Sequence, residues 1–165
     1  MKSTGEVMGV GKTFGEAFVK SQLGAGAKLP RSGKAFISVK QNDKPRVVAV
    51  ARSLVALGFE LVATKGTAGV ISAAGVLCGV VNKVTEGRPN IVDLIKNDEI
   101  SMVINTVEER RNAIVDSRYI RTSALLGRVT TYTTIAGAEA AVEGMKYLDI
   151  LDVISVQEMH AQLAA

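Results

Sequence analysis

ELVATKGTAGV, residues 60–70, is the stretch that decides the fold. Its opening residues are apolar enough for a buried strand, Thr64–Thr67 forms a small, hydroxylated and basic loop, and a helical run begins at Ala68. A strand that leads through a tight loop into a helix presents free backbone N–H groups and the positive end of the helix dipole to an anion. Hydroxyls beside a lysine suit a phosphate, which has more acceptor oxygens to satisfy than a carboxylate. The stretch predicts a phosphate pocket; an ordinary turn in which Thr64 or Thr67 caps the helix is the alternative.

The same alternation of strand and helix runs through most of the chain. Apolar runs of strand length are predicted at residues 35–39, 59–63, 77–82, 100–105 and 129–133, with helical or polar segments between them. The composition, 47% hydrophobic but only 4% aromatic, is typical of helices packed on a parallel sheet that is buried on both faces. We therefore expect an α/β fold, a Rossmann-like three-layer α/β/α sandwich with a five-stranded parallel sheet and right-handed crossovers.

The two ends of the chain have a different pattern. Thr13-Phe14-Gly15-Glu16 is a capping-box pattern that predicts a helix over residues 13–23, and a Gly/Pro/Lys/Ser-rich linker follows it. Residues 1–27 are therefore interpreted as an appendage or the tail of something upstream, and residues 28–165 as the main domain. Near the other end, residues 108–126 are predicted to be a helical segment broken near Asp116-Ser117. The chain is expected to finish with a short apolar run and a polar tail.

Composition and targeting signals narrow the class of protein. No apolar run reaches the roughly 20 residues that a membrane-spanning helix needs, and the N-terminus lacks the apolar core of a signal peptide. Cys78 is the single cysteine and lies in an apolar run, which favours a buried thiol in a reducing, cytoplasmic compartment. The net charge of +4 comes from interleaved basic and acidic residues, which argues against a nucleic-acid-binding stripe.

The loops that follow the predicted strands carry groups that bind anions. Parallel sheets bind ligands outside the carboxyl ends of their strands. Each loop there offers a cation, an amide or hydroxyls: Lys40–Lys44, Thr64–Thr67, Lys83, then Asn105, Thr106 and Arg110-Arg111, and finally Thr133-Thr134. Lys44 and Lys83 are the favoured phosphate cations. Asp116 either accepts a hydrogen bond from a ribose or base, or caps the helix that follows.

The sequence offers little that would catalyse a reaction. His160 is the only histidine and lies in the polar tail, where a solvated or docking role is expected. No Cys/His cluster has the spacing of metal ligands, and carboxylates in the candidate loops are few. We therefore expect a binding site with no catalytic residue, no metal and no cofactor in this domain.

Several motifs, in order, resemble those of a known family. MKSTGEVMGVGKTFGEAFVKSQLGAG is similar to the end of the second ATP-grasp synthetase half of carbamoyl-phosphate synthase large subunits. The remainder resembles the C-terminal allosteric domain of those subunits, which has the methylglyoxal-synthase-like fold. The motifs that carry the resemblance are Ser38-Val39-Lys40 with Lys44, FELVATKGTA, NKVTEGRPNIVDLIKN, Ile104-Asn105-Thr106, DSRYIRTSAL and VISVQEMHAQL.

The resemblance implies a regulatory module that binds a nucleoside monophosphate, inhibitory UMP or activating IMP. The phosphate would be held by Lys44, Thr64 and Thr67 with Ser38 and Lys83, the ribose or base by Asn105, Asp116 and Val84, and ornithine by Thr133. Three features depart from the family pattern: Val107 replaces a threonine, Thr131-Tyr132 replaces a tyrosine and an acidic residue, and Glu108-Glu109 brings negative charge.

The resemblance also implies a larger assembly. Carbamoyl-phosphate synthases make carbamoyl phosphate from glutamine, bicarbonate and two ATP, with Mg or Mn, for arginine and pyrimidine synthesis. The partners would be the rest of the large subunit, the glutaminase small subunit and a further copy of the chain. Two alternatives remain: a methylglyoxal-synthase-like lyase acting on dihydroxyacetone phosphate, for which Glu86 is the carboxylate offered, and an oligomerisation module without effector binding.

Overall fold

A single parallel sheet organises the molecule. The computed structural model describes residues 6–108 and 111–163. Its strands are β1 (Gly33–Ser38), β2 (Phe59–Thr64), β3 (Gly79–Val81), β4 (Met102–Asn105) and β5 (Thr130–Tyr132). They lie in the order β3-β2-β1-β4-β5, and every neighbouring pair is parallel. The predicted five-stranded parallel sheet is confirmed.

Helices cover both faces of this sheet. They are α1 (Phe14–Gly24), α2 (Lys44–Ala56), α3 (Lys65–Ala73), α4 (Ile91–Lys96), α5 (Arg111–Leu126), α6 (Ile135–Met145) and α7 (Val156–Leu163). Strand side chains alternate between two apolar clusters, because successive residues of a strand point to opposite faces. Ile37 and Ile104 pack in the cluster with α2, α3 and α6, whereas Phe36 and Val103 pack in the cluster with α4 and α5. The α/β architecture is therefore the expected one, with helical layers on both sides of the sheet.

The strand order fixes where a ligand site can form. The chain builds β2 and β3 on one side of β1 and then returns to place β4 on the other side. The crossovers from β1 and into β4 therefore diverge, which leaves a crevice outside the carboxyl ends of these two strands. Ser38 and Asn105 end the two strands and lie opposite each other in the register.

The helix α1 packs on the main domain. It begins after Thr13, whose hydroxyl accepts a hydrogen bond from the Glu16 N–H at 3.2 Å, close to the predicted start. Val19 is fully buried, and Gly15 and Gly144 bring α1 and α6 into close contact. A Cβ at Gly144 would lie 2.9 Å from the Gly15 carbonyl oxygen. Whether residues 1–27 are the tail of a separate domain stays a prediction, and residues 1–5 lie outside the described residues.

One predicted detail in the C-terminal half of the chain is wrong. The segment predicted to break near Asp116-Ser117 is one continuous helix, α5. Both residues are buried and line the same crevice. These polar side chains therefore lie on the face of α5 that borders the crevice, and they do not end the helix. The predicted polar tail contains α7, which Ser155 caps: its hydroxyl accepts from the Glu158 N–H at 3.1 Å, and the Glu158 carboxylate accepts from the Ser155 N–H at 2.7 Å. The Ser-x-x-Glu spacing was the signal for this capping box.

Candidate functional site

A cavity of about 210 Å³ opens at the carboxyl ends of β1, β2 and β4. Seven of the nine predicted binding residues line it: Ser38, Lys44, Thr64, Thr67, Lys83, Asn105 and Asp116. They lie at the ends of β1, β2 and β4, at the starts of α2 and α3, after β3 and inside α5, so the parallel topology is what gathers them. The structure thus brings the predicted phosphate-binding and nucleoside-binding groups, with two exceptions, to one cavity.

Hydroxyl groups form the wall of the cavity beside α3. The Thr64 hydroxyl lies 3.3 Å from the Ser38 hydroxyl and 3.4 Å from the Thr67 hydroxyl. The Thr67 hydroxyl also accepts from the Val39 N–H at 3.3 Å, which ties the start of α3 to the end of β1. Thr64 is the N-cap residue of α3, as the capping alternative has it, but its side chain makes no capping hydrogen bond. Its hydroxyl instead lies beside the hydroxyls of Ser38 and Thr67 in the cavity wall.

Two lysines supply positive charge to this region. Lys44 is the first residue of α2, and its Nζ lies 3.4 Å from the position that a Cβ on Gly66 would occupy. Gly66 thus leaves space between this ammonium group and the N-terminus of α3. Lys83 lies on the exposed rim beyond β3. No ion pair to either ammonium group exists among the residues that the structure describes, so both charges are available to an anionic ligand.

The end of β4 is held by side chains from α5. Asn105 is buried, and its Oδ1 accepts hydrogen bonds from the Ser117 hydroxyl at 2.6 Å and from the Arg121 Nε at 3.2 Å. Arg121 Nη2 also donates to the Asn105 backbone carbonyl at 2.9 Å. The next residue, Thr106, accepts from the Lys40 N–H at 2.9 Å through its hydroxyl. These bonds fix the loops after β1 and β4 relative to each other.

Asp116 contributes a buried carboxylate to the cavity. It is 8% exposed, and its Oδ2 lies 3.3 Å from the Thr85 hydroxyl, which donates to it. Its Oδ1 is buried without a hydrogen-bond partner among the described residues. Asp116 lies inside α5, so the alternative in which it caps a following helix is wrong. A buried acceptor without a donor is costly, and a ligand that brings an N–H or O–H group would satisfy it.

The rim of the cavity carries a negative charge. Glu108 lines the opening, and its Oε1 accepts from the Gln41 N–H at 2.9 Å. The hydrogen bond from Gln41 keeps the Glu108 carboxylate at the opening of the cavity, where Lys44 and Lys83 supply positive charge. Of the neighbouring residues singled out in the sequence, Glu109 and Arg110 lie outside the described residues, as does the side chain of Arg111.

Two predicted binding residues do not reach the cavity. Val84 packs against the apolar cluster beneath α4 and α5, because its side chain is apolar and only partly exposed. Its predicted contact with a ribose or base is therefore not supported by the geometry. Thr133 is exposed after β5, at one edge of the sheet, and lies away from the cavity lining. The ornithine contact predicted for Thr133 stays a prediction.

A family model described as "MGS-like domain" matches residues 46–133, which is more than half of the chain. The chain belongs to the MGS-like domain family. Three relatives, each named carbamoyl phosphate synthase large chain, match it over almost its whole length. The protein from Ralstonia nicotianae is 61% identical over 99% of this chain, that from Pseudomonas putida 58% over 100%, and that from Pseudomonas aeruginosa 56% over 100%. In each case this chain spans 15% of the relative's own length.

His160 and Cys78, which the sequence analysis singled out, lie outside the cavity lining of this MGS-like domain. Within residues 6–108 and 111–163, no three His, Cys, Asp or Glu side chains gather as a metal site, and no helix is long and apolar enough to cross a membrane. His160 is exposed on α7. Cys78, predicted to be buried, is only partly so, because β3 begins after it; desolvation nevertheless raises the pKa of its thiol to about 11.

Sequence reasoning missed two of the residues that shape the site. Ser117 lines the cavity, and Arg121 lies behind Asn105. The expected break near Asp116-Ser117 concealed that Ser117 and Arg121 are four residues apart on one helix and so share a face. Reading the segment as one amphipathic helix would have placed both beside the end of β4.

Proposed function

We propose that this MGS-like domain is the effector-binding regulatory domain of a carbamoyl-phosphate synthase large chain. We propose further that its cavity binds a nucleoside monophosphate, UMP or IMP. The observation that supports this best is that two ammonium groups, which form no ion pair within the described part of the chain, meet three hydroxyls, a buried amide and a buried carboxylate in one cavity. Such a set matches a ligand with an anionic end and a polar, uncharged end.

The two ends of the ligand would bind to different walls. The phosphate would lie at the N-terminus of α3, where the hydroxyls of Thr64, Thr67 and Ser38 can donate to it and the helix dipole favours negative charge. Lys44 and Lys83 would neutralise it from α2 and from the rim. The nucleoside would extend towards Asn105 and Asp116, which offer a donor and an acceptor.

The regulatory role would lie in the assembled enzyme. There the effector changes catalysis elsewhere through a coupling free energy, typically about 1–3 kcal/mol between sites. The full protein would make carbamoyl phosphate from glutamine, bicarbonate and ATP with Mg or Mn, together with a glutaminase small subunit in the cytoplasm. It would serve arginine and pyrimidine synthesis, and ornithine would be sensed near Thr133.

Calorimetric titration of the chain with UMP and IMP at low salt tests the binding proposal. We expect one nucleotide per chain, with affinity lowered at least tenfold in K44A, because the charge-assisted bonds to phosphate are the strongest available. K83A should weaken binding less, because Lys83 is on the exposed rim. K96A, which removes an exposed lysine at the end of α4, is the matched control and should bind as the unmodified chain does. Absence of heat with either nucleotide would eliminate the proposal.

A lyase is the second candidate, favoured by one observation. Glu86, the carboxylate offered by the sequence, does not line the cavity, and its Oε2 accepts from the Lys83 N–H at 2.9 Å. Asp116, however, is a buried carboxylate in the cavity, and one of its oxygens has no partner in the part of the chain that the structure describes; a base in a lyase would need such a position. We expect no methylglyoxal from dihydroxyacetone phosphate. Product that disappears in D116N would establish the lyase instead.

An oligomerisation module without effector binding is the third candidate. Val80, on the edge strand β3, is 65% exposed, and Leu77, two residues before that strand, is 91% exposed. Light scattering during the nucleotide titration separates the two roles. Self-association with no nucleotide response would support this candidate, whereas nucleotide binding by a monomer would exclude it.

A further inference from the structure

The Asn105 carboxamide is held in one orientation from its oxygen side. Both groups that contact Oδ1, the Ser117 hydroxyl at 2.6 Å and the Arg121 Nε at 3.2 Å, are donors, so the atom between them must be the acceptor. The Nδ2 of Asn105 makes no hydrogen bond among the described residues, and Asn105 lines the cavity. The NH₂ end is therefore the end that remains available to a ligand.

Arg121 enforces this orientation from outside the cavity. It does not line the cavity, and its guanidinium also donates to the Asn105 backbone carbonyl at 2.9 Å. A guanidinium has only donors in a fixed planar fork. If the carboxamide turned over, its NH₂ group would face the Arg121 N–H, and two donors would oppose each other. Ser117 alone could not exclude that arrangement, because a hydroxyl can also accept.

We propose that Arg121 is a positioning residue, which with Ser117 keeps the Asn105 carboxamide turned so that its NH₂ group faces the ligand. This role rests on the proposed function, since it assigns what the nucleoside end of that site reads. Asn105 then offers a donor, and the Asp116 Oδ1, which has no hydrogen-bond partner within the described residues, offers an acceptor. The pair suits a ligand group that both accepts and donates, such as neighbouring hydroxyls. Loss of Arg121 leaves the phosphate wall intact but lets the carboxamide rotate.

The test compares R121A with R118A, which removes an exposed arginine three residues earlier on the same helix. UMP and IMP affinities are measured by calorimetry, and inorganic phosphate is titrated against the amide resonances of Gly66 and Thr67. We expect R121A to bind nucleotide about tenfold more weakly, the effect of roughly one well-placed hydrogen bond, with phosphate affinity unchanged. R118A should change neither. R121K should show an intermediate loss, because a single ammonium group cannot reproduce the planar fork.

A second readout follows the carboxamide without any ligand. The side-chain NH₂ resonances of Asn105 are assigned by their absence in N105S. In the unmodified chain and in R118A we expect their chemical shifts to report one fixed carboxamide orientation. In R121A we expect chemical shifts averaged over the two orientations. Equal losses of nucleotide and phosphate affinity in R121A would mean that the substitution disturbs the whole cavity, which would overturn the proposal. A nucleotide affinity of R121A equal to that of R118A would overturn it too. If the unmodified chain binds no nucleotide, the proposed function fails. Independently of that result, Asn105 resonances that are the same in R121A as in the unmodified chain would overturn the positioning role.

Discussion

At the scale of single residues, the cavity combines opposite charges on one rim. Lys44 and Lys83 attract an anion, while Glu108 holds a carboxylate at the same opening through the Gln41 N–H. A charge at the mouth of a site acts on every anionic ligand that enters, and salt weakens its effect. If the cavity binds phosphate as proposed, we expect the Glu108 carboxylate to weaken that binding without contacting the ligand.

Removal of this charge should strengthen nucleotide binding. In E108Q the amide oxygen can still accept from the Gln41 N–H, so the loop contact is retained while the negative charge is lost. We expect UMP or IMP to bind on the order of threefold more tightly at low salt, and the gain to shrink as salt is added. Calorimetry at two salt concentrations measures this. E60Q, at an exposed carboxylate near the opposite end of β2, is the control; weaker binding in E108Q would contradict the electrostatic reading.

Tyr132 illustrates a different cost at the residue scale. Its side chain is 8% exposed, its hydroxyl is buried without a partner among the described residues, and burial raises its pKa to about 12. Replacing a buried unpaired hydroxyl by hydrogen removes a desolvation cost. Y132F should therefore leave the free energy of unfolding unchanged or raise it by up to about 1 kcal/mol, measured by urea unfolding. Y119F, at a 55% exposed tyrosine, should be neutral, and a clear loss of stability in Y132F would reveal an overlooked partner for the hydroxyl.

At the scale of elements, α1 and α6 pack closely because glycines remove side chains from their contact. A Cβ at Gly144 would lie 2.9 Å from the Gly15 carbonyl oxygen and 3.0 Å from the Val19 Cβ. Backbone atoms cannot move aside as a flexible side chain can. The attachment of α1 to the domain therefore depends on this contact between the two helices.

G144A should loosen α1 while leaving the sheet intact. We expect a cost of about 1–3 kcal/mol from overpacking, seen as faster hydrogen exchange in α1 and faster protease cleavage in residues 27–34, with unchanged exchange in β1 and β4. G69A, at a glycine on α3, is the control, because a Cβ added at Gly69 would have no neighbouring atom within 4 Å. It should be neutral or stabilising by about 0.5–1 kcal/mol. Unchanged exchange in α1 of G144A would show that the helix is held by other contacts.

The start of α4 carries a pH-dependent contribution to stability. Asp93 accepts hydrogen bonds from Arg88 Nε at 3.1 Å and from the Asn90 N–H at 2.9 Å, and these bonds lower its pKa from 3.8 to about 2. A carboxyl whose pKa is lower in the folded state stabilises the fold above its unfolded pKa. That stability is lost as pH falls from about 4 towards 2. The advantage of the unmodified chain over D93N in urea unfolding should thus be constant near pH 6 and shrink below pH 4; a constant difference down to pH 2.5 would contradict this.

At the scale of the whole molecule, topology explains why so much of the site could be predicted. Strand length and burial in β1, β2 and β4 follow from apolar runs, and a parallel sheet then gathers the residues after those strands at one edge. Lys44, Thr64 and Asn105 could be placed by this reasoning alone. The continuity of α5 could not be predicted in this way. The polar pair Asp116-Ser117 is compatible with the end of a helix, and only the structure shows that both side chains face the cavity. The role of Arg121 depends on side-chain orientation, which spacing alone does not specify.

The account depends most on where a nucleotide lies in the molecule, and a crystal structure with UMP or IMP bound measures this directly. The phosphate is predicted at the N-terminus of α3, within reach of Lys44 and the hydroxyls of Thr64 and Thr67. The nucleoside should then contact the Asn105 NH₂ group and the Asp116 Oδ1. A nucleotide bound elsewhere, or an empty cavity at saturating nucleotide, would contradict the assignment.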